Sequence, residues 1–293
     1  MKILIIGKNG QLGKSINKIV SKSNSGDDFL FIGRDDLDLA NLKSITKYLN
    51  NFKFDIVINC AAYTQVDNAE NEKKIADQVN WIAIDKIASL LRMTETKLIH
   101  ISTDYVFNGI TSKSYKESDI PNPINHYGKS KLLGELAILK KMPRNAIIIR
   151  TSWMYSEFEN NFVNTMLRLG RTNDELKVVC DEIGTPTYAH DLAKTIMKII
   201  EGPSFMLLNQ KSQIYHFSSL GSCSWFEFAN EVFKIANIKC KVLPMHAKDY
   251  LSVAKRPKYS VLDKNKISMH FDIHPLNWTQ SLGKCIKEIK KNS

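Results

Sequence analysis

Residues 100–131 hold the side chains best suited to chemistry, in the stretches HISTDYVFNG and NPINHYGKSK. Ser102 and Thr103 close an apolar run, and Tyr127 and Lys131 follow with four-residue spacing. On one helix that spacing places the phenol and the ammonium on the same face, about one turn apart. A nearby positive charge lowers a phenol's pKa, which makes Tyr127 a candidate acid near neutral pH. Thr103 would polarise the carbonyl oxygen that receives the proton. The spacing alone is weak, because ten tyrosines and 34 lysines in 293 residues give about one such pair by chance. Only Tyr127 has the lysine, and its context carries the reading.

That context begins at the N-terminus. Residues 2–6, KILII, read as a buried strand running into Gly7-Lys8-Asn9-Gly10-Gln11-Leu12-Gly13 and then a helical pattern through Val20. Strand, G-x-x-G-x-x-G, helix is a phosphate cradle for a dinucleotide, with the helix N-terminus facing the pyrophosphate. Gly7, Asn9, Gly10, Gln11, Leu12 and Gly13 are therefore candidate cofactor contacts. A second strand, Phe29–Ile32, leads to Gly33-Arg34-Asp35-Asp36. An arginine there suits a ribose 2′-phosphate and an acid suits a 2′-hydroxyl. Arg34 comes first and favours NADPH, while Asp35 and Asp36 leave NADH open. Asp38 and Leu39 are placed to line the adenine pocket. The strand at Asp55–Asn59 enters the small-residue loop Cys60-Ala61-Ala62, followed by Tyr63, where a ligand can approach the backbone. Asn80, on an expected helix over Ile75–Leu91, would brace the site.

Lys97–Ile101 is the next strand and delivers Ser102 and Thr103 at its carboxyl end, where open α/β sheets bind ligands. The Tyr127 helix runs to about Lys140, and Ala146–Arg150 is a fifth strand. After Arg150 the alternation loosens: a short strand at Leu176–Cys180, helices at about His190–Ile200 and Trp225–Ala236, a strand at Ile214–Phe217, and a last helix from near Trp278. These elements imply an α/β fold, a Rossmann-like doubly wound parallel sheet with a smaller mixed α/β substrate-binding lid. Residues 1–150 form the dinucleotide-binding part, with 185–217 returning to it; 151–184 and 218–293 form the lid.

Composition excludes other classes. Hydrophobic content of 43% and charged content of 24% are ordinary for a soluble chain, and no apolar run reaches the length of a membrane span. The opening apolar run is broken at once by Gly7 and Lys8, which argues strand rather than signal peptide. The net charge of +11 is dispersed, with no basic-aromatic interleaving of a nucleic-acid surface. Five scattered cysteines, with no CxxC, fit reduced thiols in the cytoplasm and no structural zinc. His270 and His274 beside Pro275 read as surface residues.

Several longer stretches carry a resemblance: GKNGQLG at 7–13, AAYTQVDNAE at 61–70, STDYVF at 102–107, YGKSKLLGE at 127–135, RTSWMY at 150–155, GTPTYAHDLA at 184–193 and RPKYSVLD at 256–263. The chain resembles the dTDP-4-dehydrorhamnose reductases, within the extended short-chain dehydrogenase/reductases, over nearly its whole length. The resemblance implies reduction of the C4 ketone of dTDP-4-dehydro-β-L-rhamnose to dTDP-L-rhamnose for surface polysaccharide. It makes Thr103, Tyr127 and Lys131 the catalytic trio and Ser102 a cofactor neighbour, with Lys131 also holding the nicotinamide ribose. Candidate substrate contacts are Thr64, Val66, Thr103, Asp104, Trp153 and Arg256, with Trp153 packing against the sugar. Some bacterial members bind magnesium with paired acids at a homodimer interface, but here those positions are Ser15 and His190. No metal site is therefore expected, and a magnesium-bridged homodimer is in doubt. The competing expectations are another nucleotide-4-keto-deoxysugar as substrate, or a non-catalytic dinucleotide-binding subunit like the regulatory subunit of methionine adenosyltransferase.

Overall fold

The computed structural model describes residues 1–23, 26–202, 205 and 211–292. Residues 203–204 and 206–210, within the segment expected to return to the dinucleotide-binding part, lie outside them. Six parallel strands form the main sheet: β1 (Lys2–Ile6), β2 (Asp28–Ile32), β3 (Ile56–Asn59), β4 (Lys97–Thr103), β5 (Ala146–Thr151) and, after four short strands, β10 (Gln213–His216). Their spatial order is β10-β5-β4-β3-β1-β2. The chain steps from β1 to β2 on one side and then crosses to β3 on the other. The order therefore reverses between β1 and β3, and a crevice opens at their carboxyl ends, the switch point where such sheets bind ligands.

The strands are runs of Ile, Leu and Val because both faces are covered. One face packs against α1 (Gln11–Val20) and α8 (Ala189–Glu201), through Leu12, Ile16, Leu192 and Ile196. The other packs against α2 (Leu42–Asn51), α5 (Ala83–Leu91) and α6 (His126–Lys141), through Ile45, Ile84, Ile87 and Ile138. This is the doubly wound α/β sheet that the sequence implied. A second apolar cluster gathers Val163 and Leu167 of α7 (Phe162–Gly170) with Phe228 and Val232 of α9 (Trp225–Ala236) and Leu282 of the last helix, α11 (Trp278–Asn292). A parallel pair, β7 (Glu175–Val179) with β12 (Lys241–Met245), flanks it. Helix α10 (Asn265–Phe271), within the stretch 218–293, packs Ile267 and Phe271 into the main sheet's core.

The helix expected over Ile75–Leu91 is divided: α4 spans Lys73–Asp77, a π-helical turn spans Gln78–Ile82, and α5 follows. The wider turn puts Asn80 where its side chain points inward. Its Oδ1 accepts from the Tyr63 backbone N–H at 2.9 Å, and its Nδ2 donates to the Tyr63 carbonyl at 2.9 Å and the Ser130 hydroxyl at 3.0 Å. Asn80 thus ties the loop after β3 to α6.

Candidate active site

Helix α6 starts where it does because Asn125 caps it, its side chain accepting from the Gly128 N–H at 2.8 Å. The cap puts Tyr127 in the first turn and Lys131 one turn later. Gly128 allows close approach to the end of β4, since a Cβ there would meet the Tyr105 carbonyl oxygen at 2.1 Å. Tyr127 thereby comes close to Thr103, the last residue of β4. Thr103 Oγ1 donates to Asp104 Oδ1 at 3.1 Å and accepts from the Tyr105 N–H at 3.2 Å. Asp104 is buried, its Oδ2 has no hydrogen-bond partner among the described residues, and burial pushes its pKa up to about 7.

The electrostatics differ from the sequence expectation. Burial pushes the Tyr127 phenol up to about 12; the nearby Thr103 hydroxyl opposes this and Asp104 adds to it. Lys131 does not lower it, because its Nζ donates instead to the Ile101 carbonyl at 2.6 Å and lies 3.3 Å from His100 Nε2. Lys131 is itself buried, and burial lowers it to about 8 against the opposing field of Glu135. A raised phenol keeps its proton at neutral pH, which is the state an acid needs. Tyr105 meets Tyr127 edge-on at 5.9 Å between ring centres.

The glycine segment lies at the crevice between β1 and β3. Gly7 has φ +101°, and a Cβ there would sit 2.9 Å from the Ala61 nitrogen. Gly10 is the N-cap of α1 and has no side chain to use up the helix's first N–H groups. Leu12 and Gly13 follow in its first turn and are buried. Gln11 is turned elsewhere: its Oε1 accepts from Ser156 at 2.8 Å and its Nε2 donates to the Met154 carbonyl at 3.4 Å. Asn9 is exposed beside Gly33. Arg34 is 81% exposed, its Nε 3.5 Å from Asp38, whereas Lys8 pairs with Asp36 at 2.7 Å. Asp36 also accepts from the Gly33 N–H at 2.9 Å. Leu39 is buried in the core, and Asp38 Oδ1 accepts from the Ala40 N–H. Ala61 and Ala62 are half-buried after β3 with Cys60, whose thiol burial pushes up to about 12. Tyr63 gives its hydroxyl to Glu72 at 2.6 Å.

Other candidates make contacts of their own. Ser102 gives its hydroxyl to Glu135 at 2.5 Å, inside a buried set in which Glu135 pairs with Arg150 at 2.6 Å. Arg256 grips Asp67, Nη2 to Oδ2 at 2.5 Å, and Asp67 also accepts from the Val253 and Ala254 N–H groups. Thr64 is exposed and Val66 half-buried at the start of α3 (Val66–Asn71). Trp153 has φ +46° and stacks on Trp225 at 3.5 Å and 7°. At the magnesium positions, the Ser15 hydroxyl is buried and given to the Gln11 carbonyl at 2.8 Å. His190 lies near Glu157, and that acid is taken by Lys18 at 2.6 Å. A hydroxyl and an imidazole beside a lysine-paired acid do not fit a hard cation that wants free carboxylate oxygens.

The chain matches the family described as RmlD substrate binding domain over residues 1–291. The dTDP-4-dehydrorhamnose reductase of Aggregatibacter actinomycetemcomitans is 40% identical over 290 residues, covering 96% of this chain and 97% of that one. The chain belongs to the dTDP-4-dehydrorhamnose reductase family. It is an oxidoreductase of that type. Its fold is similar to that of the dTDP-4-dehydrorhamnose reductase from Clostridium acetobutylicum, with a TM-score of 0.91 and 38% identity over 99% of this chain and 100% of that one. It is likewise similar to the Bacillus anthracis dTDP-4-dehydrorhamnose reductase solved in complex with NADP, with a TM-score of 0.90 and 38% identity over 98% and 99%.

Residue types alone did not single out His100, Glu135 or Trp225. Glu135 had a signal, four positions past Lys131 on the same helix. His100 had one too, as the lone titratable group in the apolar strand LIHIS.

Proposed function

We propose that the chain reduces the C4 ketone of dTDP-4-dehydro-β-L-rhamnose with NADPH, giving dTDP-L-rhamnose for surface polysaccharide. The observation that carries this reading is the juxtaposition of Thr103 and Tyr127 at the carboxyl end of β4, with Lys131 one helical turn on and the glycine crevice beside it. The complex of the Bacillus anthracis relative with NADP supports the choice of dinucleotide. Gly7, Gly10 and the free N–H groups of α1 would hold the pyrophosphate, Arg34 and Lys8 a 2′-phosphate, and Lys131 the nicotinamide ribose. The bound dinucleotide supplies the hydride.

The protein's own part is proton and position. Tyr127, kept protonated by burial, gives its proton to the oxygen of the former ketone. Thr103 aligns that phenol and, released from Asp104, can donate to the same oxygen. Trp153, fixed by its stack on Trp225, offers an apolar face to the sugar. Among the described residues no helix is long and apolar enough to cross a membrane, in keeping with work on a nucleotide sugar in the cytoplasm.

The test is NADPH oxidation by the purified chain against a panel of nucleotide-4-ketosugars. The dTDP-4-dehydro-β-L-rhamnose should be turned over fastest. Preference for another 4-keto-deoxysugar would reassign the substrate. No oxidation with any of them, alongside intact NADPH binding, would favour the non-catalytic reading.

A further inference from the structure

His100 is fully buried within β4, and no step above uses it. It faces Asn59, its register partner on β3, and Lys131 on α6. The direction of this chain of hydrogen bonds follows from its one end that cannot change. The Ala61 backbone N–H is an obligatory donor, and it reaches Asn59 Oδ1 at 3.2 Å. The Asn59 Nδ2–H therefore faces His100 Nδ1, 3.0 Å away, and that ring nitrogen accepts. A neutral imidazole whose Nδ1 accepts carries its proton on Nε2. The ring is neutral, since burial holds its pKa well below the ordinary value. Its Nε2–H thus points at Lys131 Nζ, 3.3 Å away. An ammonium has no lone pair to accept that proton; a neutral amine has one. The same amine still donates an N–H to the Ile101 carbonyl at 2.6 Å.

We propose that His100 is a positioning residue that holds Lys131 as a neutral amine in the ligand-free protein, through a donor chain that begins on the Ala61 backbone of the dinucleotide crevice. The surroundings agree. Burial already lowers Lys131, and the ring N–H pushes in the same direction. Among the described residues the one acid facing it, Glu135 on its own helix, is held by Arg150 of β5 through two short bonds. Tyr127, also on that helix, is neutral, and the adjoining π-helical turn presents the uncharged Asn80. Charging the lysine requires the ring proton to move to Nδ1 and the Asn59 amide to turn, which strips Ala61 of its acceptor. The charge on Lys131 and the shape of the crevice are thereby coupled. Only the catalytic consequence of this coupling rests on the reductase reading; the protonation state does not.

The experiment uses the full chain without cofactor. Nitrogen-15 NMR of histidine-labelled protein, with the His100 signal assigned by its loss in His100→Phe or His100→Gln, should give the Nε2–H tautomer and a ring that stays neutral from neutral to mildly acidic pH. An Nδ1–H tautomer or a charged ring at neutral pH would overturn the proposal. Carbon-13 NMR of lysine-labelled protein, assigned with Lys131→Met, should show Lys131 titrating about one pH unit higher in His100→Phe than in the unaltered chain. An equal or lower titration would also overturn it. Because both readings are taken without substrate, a failed reductase assay leaves them intact, and their failure leaves the reductase reading intact.

Discussion

Replacing Tyr127 by phenylalanine isolates the proton donor from everything else the side chain does. The ring stays, so its edge contact with Tyr105 and its place in the first turn of α6 persist. What is lost is one hydroxyl, beside that of Thr103. A neutral hydrogen bond contributes about 1 kcal/mol to stability, so the melting temperature should fall by only a few degrees. The chemistry loses far more. A missing general acid costs roughly 10²–10⁴ in rate, or about 2.7–5.4 kcal/mol of transition-state stabilisation at 1.36 kcal/mol per tenfold. The two numbers are far enough apart to be told apart in one preparation. Thermal unfolding and NADPH affinity report the fold and the crevice, while single-turnover NADPH oxidation with the ketosugar reports the proton. The expected result is near-native unfolding and NADPH binding with turnover down by roughly 10²–10⁴. Near-full turnover in Tyr127→Phe, together with its loss in Tyr105→Phe, would refute the assignment of the acid while leaving the reaction intact.

Three further outcomes follow from the same geometry. Arg34→Ala should weaken NADPH by about 1.5–3 kcal/mol while sparing NADH; equal loss of both in titration calorimetry would transfer the selecting role to Lys8, the other cation at that strand end. Turnover should survive EDTA, because Ser15 and His190 stand where paired carboxylates would be needed; complete loss restored by magnesium would show that other acids supply a site. Asp104→Asn should stabilise the chain in a pH-dependent way. Burial raises the Asp104 pKa from 3.8 to about 7, so over that interval the folded state holds a proton that the unfolded state has released, and stability falls as pH rises. The melting-temperature gain of the Asn variant should grow across that interval and level off above it; a constant gain would show that Asp104 does not titrate there.

The sequence by itself determined the sheet and the address of the site. Strands flanked by helices on both faces leave no choice but apolar runs, so KILII, IVIN and AIIIRT were legible as strands. The cap at Asn125 and the four-residue spacing are local, and they fixed Tyr127 and Lys131 on one face of α6. Local pattern also gave the start of α9. It did not give the π-helical turn at Gln78–Ile82, whose wider register is set by Asn80 reaching across to Tyr63 and Ser130. Nor did it reveal α10 or β12, where neither periodicity nor capping was strong. Charge state was decided only by tertiary structure. Spacing on a helix says that an ammonium lies near a phenol; it cannot say that β4 offers the lysine a carbonyl and an imidazole instead. The same holds for Arg256 and Ser102, whose polar atoms are taken by Asp67 and Glu135. A side chain's type states which bonds it can make. Which one it makes depends on donors and acceptors that the fold brings in from strands and helices distant in the sequence.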